Sequence, residues 1–111
     1  MFVSHFNSFA EFYPYYLSEH RHPVCRALHY TGSLLVLTVL TVSLWAEQYV
    51  WLWALPFIGY GFAWIGHFIF EKNRPATFSH PFYSFLADWV MLKDGILSLL
   101  GCKTPLDNIS I

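Results

Sequence analysis

The sequence predicts an all-α fold: a membrane helical hairpin of two spanning helices with flanking interfacial amphipathic helices, a third span being the alternative. Three observations carry that prediction. The composition is 56% hydrophobic and 21% aromatic, with only 12% charged residues, against about 25% charged in an ordinary soluble domain. Between Ala27 and Phe70 the one charged residue is Glu47, which divides the stretch into two apolar runs. Each run is close to the roughly 20 residues that a helix needs to cross a bilayer core. At 111 residues the whole chain, 1–111, reads as a single integral membrane domain, since domains usually take roughly 100 to 200 residues.

Taken in order, the first twenty residues carry no basic segment followed by a small-residue cleavage site, so they read as mature chain rather than a signal peptide. Phe6 to Leu17 (FNSFAEFYPYYL) is aromatic-rich with Glu11 and Pro14, which predicts a short helix on the membrane surface, bent near the proline. Pro23 is placed to open the next helix, because proline suits the first helical position and pushes the residue before it, His22, out of helical geometry. The apolar runs extend from about Leu28 to Ala46 and from about Val50 to Phe70, with Glu47-Gln48 as the turn. Backbone in lipid must satisfy its own hydrogen bonds, so two runs joined this briefly form antiparallel helices. Pro56, Gly59, Gly61 and Gly66 on the second run, and Gly32 and Ser33 on the first, are tolerated there because small residues let membrane helices approach closely. Tyr83 to Leu100 is apolar but carries Asp88, Lys93 and Asp94. As a full span it would bury charges at about 2.5 to 3.5 kcal/mol each at the bilayer centre, so an amphipathic helix at the cytoplasmic surface is expected. The tail after Gly101, with Pro105 and Asn108, is expected to fray.

Charge gives orientation. Arg21 and Arg26 precede the first run, Lys72 and Arg74 follow the second, and no basic residue lies at the turn. Both outer ends, and with them both termini, are then expected on the cytoplasmic side. Trp45, Tyr49, Trp51 and Trp53 cluster at the far end and suit an aromatic belt at the opposite interface. A net charge of −1 with six basic residues speaks against a nucleic-acid partner, whose phosphates call for clustered cations. Cys25 and Cys102 form no C-x-x-C pair and read as reduced thiols.

The chemistry is expected where the two runs meet at their outer ends. His20, His22 and His29 open the first run, and His67 closes the second, four residues before Glu71. An antiparallel pair brings these ends together. Arg26 and His29 share one helical face by their spacing, as do His67 and Glu71. A lone histidine in an apolar helix is more often a hydrogen-bonded core residue than a ligand. Several at one membrane edge change that balance, because ionisable groups within membrane segments are costly and mark function. His20, His29 and His67 are therefore expected to form a joint metal site. Imidazoles with a carboxylate and open positions suit non-haem Fe(II) acting on oxygen, and a redox-inert ion on the same ligands would suit hydrolysis. His22 and His80 each stand beside a proline and are weaker candidates. His5 is expected to face solvent, Glu71 could instead be a helix-end charge paired with Arg74 or Arg26, and Asp88 is read first as a cap or pair near Lys93, with a catalytic role or one supporting a ligand as the alternative.

The strings YYLSEHRHP, ALHYTG and GFAWIGHFIFEKNRPATF resemble the small membrane proteins typified by the fungal endoplasmic-reticulum 2-hydroxy fatty acid dioxygenase of phytosphingosine breakdown, with its bacterial relatives. The likeness covers about residues 12 to 34 and 60 to 86. It is carried by His20, Pro23 and His29, then by Gly66-His67, Phe70-Glu71-Lys72 and Arg74-Pro75-Ala76. His80 and Asp88 fall outside it, and the fungal members have more apolar sequence between the two motifs. The resemblance implies an Fe(II)-dependent enzyme that shortens a long-chain 2-hydroxy fatty acid by one carbon with O2, releasing CO2. It implies a site in the inner or cell membrane of a bacterium or the endoplasmic reticulum of a eukaryote. On this reading His20, His29 and His67 hold the iron, and Glu71 is either a fourth ligand or an acceptor that orients one imidazole. Arg26 or Arg74 would pair with the substrate carboxylate, which a guanidinium fork suits. The acyl tail would lie between the spans or along the Tyr83 to Leu100 helix, reached from the bilayer. Three other classes use the same residues: a haem protein with His29 and His67 as axial ligands, a zinc-dependent membrane hydrolase, and a non-catalytic membrane adaptor. A hairpin is thin cover for a site, so a homodimer that completes the bundle is also considered. No Ser-His-Asp, P-loop or dinucleotide motif is present.

Overall fold

The computed structural model describes residues 6–108, and every regular element among them is helical. Helix α1, Phe9–Ser18, starts where Ser8 accepts a hydrogen bond from the Glu11 amide at 3.2 Å, while Glu11 accepts one from the Asn7 amide at 3.2 Å. These bonds satisfy donors that a helix start leaves open. Pro14 lies inside α1. Helix α2, Pro23–Trp45, opens with Pro23 in its first turn, and His22 stays extended (φ −71°, ψ 125°) with its Nδ1 accepting from the Val24 amide at 3.1 Å. The span thus begins five positions before Leu28, where the apolar run alone placed it, because the proline and the histidine cap fix the start.

Glu47 adopts a left-handed conformation (φ 54°) and closes the hairpin. The second span is not one uniform α-helix. A 3-10 turn, Tyr49–Ala54, leads into α3, Leu55–Ile65, and this widens into a π-helical turn, Gly66–Glu71, that ends at left-handed Lys72. Pro56 in the first turn of α3 has no amide to donate, which suits a start and not an interior. Helix α4, Pro81–Leu99, again opens on a proline.

Helices α2 and α3 approach closely because glycine faces their contact. A Cβ on Gly32 would meet Phe62 Cβ at 3.0 Å, and one on Gly66 would meet Cys25 Sγ at 2.9 Å. The segments Pro23–Trp45 and Tyr49–Glu71 are long and apolar enough to cross a membrane, and only 22% and 17% of their apolar windows are buried within the chain. Most of their apolar surface therefore faces outward. Helix α4, with Asp88, Lys93 and Asp94, does not join that pair.

The core lies between α1 and α4. Phe12, Tyr16, Ala87 and Met91 are almost wholly buried there, and each large side chain contributes roughly 1.5 to 3 kcal/mol by burial. The α4 acids are used in this layer: Tyr16 donates to Asp88, and Tyr13 donates to buried Asp94 at 2.6 Å. The tail does not fray over its described part. Thr104 is buried and its amide donates to Asp107 at 3.1 Å, Pro105–Asn108 forms a 3-10 turn, and Leu106 packs on the α1–α4 core. The expectation for His5 lies outside the described residues.

Candidate metal centre

Three chain segments each deliver one buried imidazole to the same point. His20 comes from the turn between α1 and α2, His29 from the second turn of α2, and His67 from the π-helical turn. His20 Nε2 stands 3.2 Å from His29 Nε2 and 2.9 Å from His67 Nε2. The rings are nearly perpendicular in all three pairs, at 78°, 80° and 87°.

The opposite nitrogens fix what these Nε2 atoms are. His20 Nδ1 lies 2.6 Å from the Tyr16 carbonyl oxygen, His67 Nδ1 lies 2.7 Å from Asn73 Oδ1, and His29 Nδ1 lies 3.3 Å from Asp88 Oδ1. Asn73 Nδ2 donates to the Glu19 carbonyl at 3.1 Å, so the amide oxygen is the atom that faces His67. Each Nδ1 therefore meets an acceptor and carries the proton, which leaves a lone pair on every Nε2. Three converging lone pairs repel one another and suit a cation. Two nitrogens at ~2.0 to 2.1 Å from a shared ion, subtending 90° to 109°, lie about 2.8 to 3.4 Å apart. Both measured separations fall in that range. Burial and the neighbouring His29 and His67 hold His20 well below the ordinary imidazole range, which keeps it in the neutral form that binds metals.

A fourth donor joins them. Cys25 Sγ and the three imidazoles place their ligand atoms within 4.8 Å of one another, and all four residues are buried. Cys25 and His29 are four residues apart on α2 and share a face. The thiol is free, as the sequence led us to expect, but its place beside the histidines was not foreseen.

The π-helical turn decides the fate of Glu71. In an α-helix it would share a face with His67, but here the Lys72 amide bonds to the His67 carbonyl, five residues back. Such wide turns recur at functional sites. His67 turns inward to His20, while the Glu71 carboxylate accepts from the His22 backbone amide. Glu71 is thus neither within the donor cluster nor the acceptor that orients an imidazole. Asp88 and Asn73 take that position. Arg26 Nη1 donates to the carbonyls of His20 and Arg21, both at 2.8 Å, and braces the turn that carries His20. Arg74 stacks its guanidinium 5.5 Å from the Phe78 ring centre. His22 caps α2, and His80 packs against Phe6 and Phe12 beside Ser79. Neither joins the cluster.

Tyr16, Cys25 and Asn73 are the site residues that the sequence reading did not single out. Cys25 alone had a local signal, its helical spacing from His29. A narrow cleft of about 20 Å³ reaches the cluster, lined by His29, His67 and Asp88 with Tyr60, Trp64 and Ser84. The Trp64 indole N–H is buried with no acceptor. A haem between His29 and His67 does not fit, because His20 Nε2 stands within 3.2 Å of both their Nε2 atoms where the macrocycle would lie.

A family model described as "2-hydroxy-palmitic acid dioxygenase Mpo1-like" matches residues 6–100. Comparison with curated proteins and with solved structures gives no match.

Proposed function

Because the chain belongs to the 2-hydroxy-palmitic acid dioxygenase Mpo1-like family, we propose that it is an Fe(II)-dependent membrane dioxygenase that shortens a long-chain 2-hydroxy fatty acid by one carbon. The observation that carries this reading is the convergence of three neutral imidazole nitrogens, 2.9 and 3.2 Å apart, on one buried point. The reaction balances without a further reductant: R–CH(OH)–COOH and O2 give R–COOH, CO2 and H2O. The four electrons that reduce dioxygen leave the hydroxy acid as its C1–C2 bond breaks. No 2-oxoglutarate or nicotinamide site is called for.

His20, His29 and His67 are the proposed ligands, with the Cys25 thiol beside them. An iron(II) ion held there supplies oxygen activation and open positions for the hydroxyl and carboxylate of the acid. The protein side chains do the rest. Asn73 and Asp88 keep protons on the outer nitrogens of His67 and His29, and the buried surroundings exclude water from the reacting carbon. Trp64, on the cleft, offers its unpartnered N–H to an oxygen of the bound acid. At about 20 Å³ the cleft admits roughly one water-sized group.

The outward apolar faces of the two spans support a place in a bilayer, where a long-chain acid is already dissolved. Arg21, Arg26, Lys72 and Arg74, all at the site's end of the hairpin, support a site on the cytoplasmic side. Glu71, Arg26 and Arg74 serve on this reading as supports of the turns around the site and not as reacting groups.

The test is metal content of detergent-purified protein by elemental analysis, beside His67→Ala, followed by oxygen uptake on adding Fe(II) and 2-hydroxypalmitate. Iron near one per chain, lost in the variant and coupled to uptake, is the expected result. Bound zinc with no uptake would move the site to hydrolysis. No bound metal and no uptake after iron loading would leave the histidines as packing residues of an adaptor.

A further inference from the structure

One residue of α1 contacts one of the three imidazoles and the carboxylate that faces another. Tyr16 is 1% exposed. Its carbonyl oxygen accepts from His20 Nδ1 at 2.6 Å, and its ring stacks on the His20 ring with centroids 4.0 Å apart and planes at 27°. Its hydroxyl donates to Asp88 Oδ1, the same oxygen that lies 3.3 Å from His29 Nδ1. The Asp88 side chain is 33% exposed. A carboxylate that open to water has other rotamers and other partners, and a 3.3 Å hydrogen bond is a long one for an N–H donor. His29 alone does not hold it in place. The buried Tyr16 hydroxyl does.

We propose that Tyr16 is a positioning residue of the metal centre, acting on His20 directly and on His29 through Asp88, and contributing no ligand atom. This gives α1 a role beyond anchoring: the helix that packs on α4 also sets the angles at which α2 and the turn before it present their imidazoles. The inference rests on the metal-binding part of the function proposed above and is independent of the reaction.

The competing view is that Tyr16 only fills the core beside Phe12 and Met91, where it is buried. Tyr16→Phe separates the two, since it keeps the ring, the carbonyl and nearly all the volume while removing the hydroxyl. The experiment is a double-mutant cycle on the detergent-purified full chain, with Tyr16→Phe, Asp88→Ala and the double variant. Co(II) and Zn(II) affinities are read by chelator competition, the visible Co(II) spectrum is recorded, and the thermal midpoint of each metal-free form is measured. Losing an outer partner of a ligating histidine typically costs about 10- to 100-fold in metal affinity. Asp88→Ala is expected in that range and Tyr16→Phe at its lower end, with an altered Co(II) spectrum and a metal-free midpoint that falls only modestly, by the loss of one hydrogen bond. The double variant is expected to bind no more weakly than Asp88→Ala, because groups acting through one another are not additive.

Tyr16→Phe binding as tightly as the unmodified chain, or losses that multiply in the double variant, would overturn the proposal. An unmodified chain that binds neither ion would instead overturn the metal reading, and this inference with it. Should Asp88→Ala lose its thermal transition, Asp88→Leu, close in volume and without an acceptor, replaces it in the cycle with the same expectations.

Discussion

His20 Nε2 and His67 Nε2 lie 2.9 Å apart although 47 residues separate them in the chain. Each is a buried acceptor facing another, an arrangement that costs free energy until a cation fills it. A cation bound between them would tie the turn before α2 to the end of the second span.

Metal should therefore stabilise the fold and not merely equip it. An ion that binds only the folded chain adds about 2.7 kcal/mol when present at 100 times its dissociation constant. Zn(II) or Fe(II) is expected to raise the thermal midpoint of the detergent-solubilised protein by several degrees, and a chelator to reverse the rise. His20→Ala and His67→Ala should abolish it. An equal rise in either variant would show that the ion binds elsewhere.

Asn73 should act through its oxygen. It accepts from His67 Nδ1 at 2.7 Å and is itself turned by the Glu19 carbonyl at 3.1 Å. Asn73→Ala is expected to weaken metal binding by about 10-fold or more, whereas Asn73→Asp keeps an acceptor for His67 and should stay much closer to the unmodified affinity. Equal losses in both variants would mean that the amide serves the loop and not the imidazole.

Two glycines on the second span predict opposite outcomes. A Cβ on Gly66 would meet Cys25 Sγ at 2.9 Å and Cys25 Cα at 3.2 Å, and the second of these is backbone that cannot swing aside. Gly66→Ala is expected to cost about 1 to 3 kcal/mol, the usual range for overpacking, and to disturb the ligand cluster that Cys25 belongs to. At Gly61 a Cβ meets nothing within 4 Å. Gly61→Ala is expected to be neutral or to stabilise by up to about 1 kcal/mol through helix propensity. Thermal midpoints in one detergent compare the two directly.

The fold was readable where the signal is local or compositional. Two apolar runs broken by Glu47, prolines at helix starts and basic residues at one end sufficed for the hairpin, and the hairpin was enough to bring His20, His29 and His67 together. The remaining site residues depend on what composition does not carry. The π-helical turn has no distinct sequence signature, and it is what separates Glu71 from His67. Tyr16 and Asn73 act across the fold, Tyr16 on Asp88 72 residues away and Asn73 on Glu19 54 residues away. Both lie in the strings that resemble the family, but no spacing or composition marks either as part of a site. Asp88 looked like a charge that argued against a span, and its burial partner on α1 could not be read from α4 alone. The tail misled for the same reason, since Leu106 is ordered by packing on a distant core.

Trp64 provides the sharpest link between the cleft and the substrate. A buried N–H without an acceptor costs the free protein about 1 to 3 kcal/mol, and this one belongs to a residue that lines the cleft beside His29 and His67. Trp64→Phe removes that cost while opening a small void, so the two effects oppose each other and the thermal midpoint should change little. Substrate binding has no such offset. A hydrogen bond to a charged oxygen is worth about 1.5 to 3 kcal/mol, so KM for 2-hydroxypalmitate is expected to rise by roughly tenfold or more with metal affinity unaltered. An unchanged KM would mean that the indole faces away from the bound acid, while a parallel fall in metal affinity would place Trp64 among the residues that shape the ligand cluster.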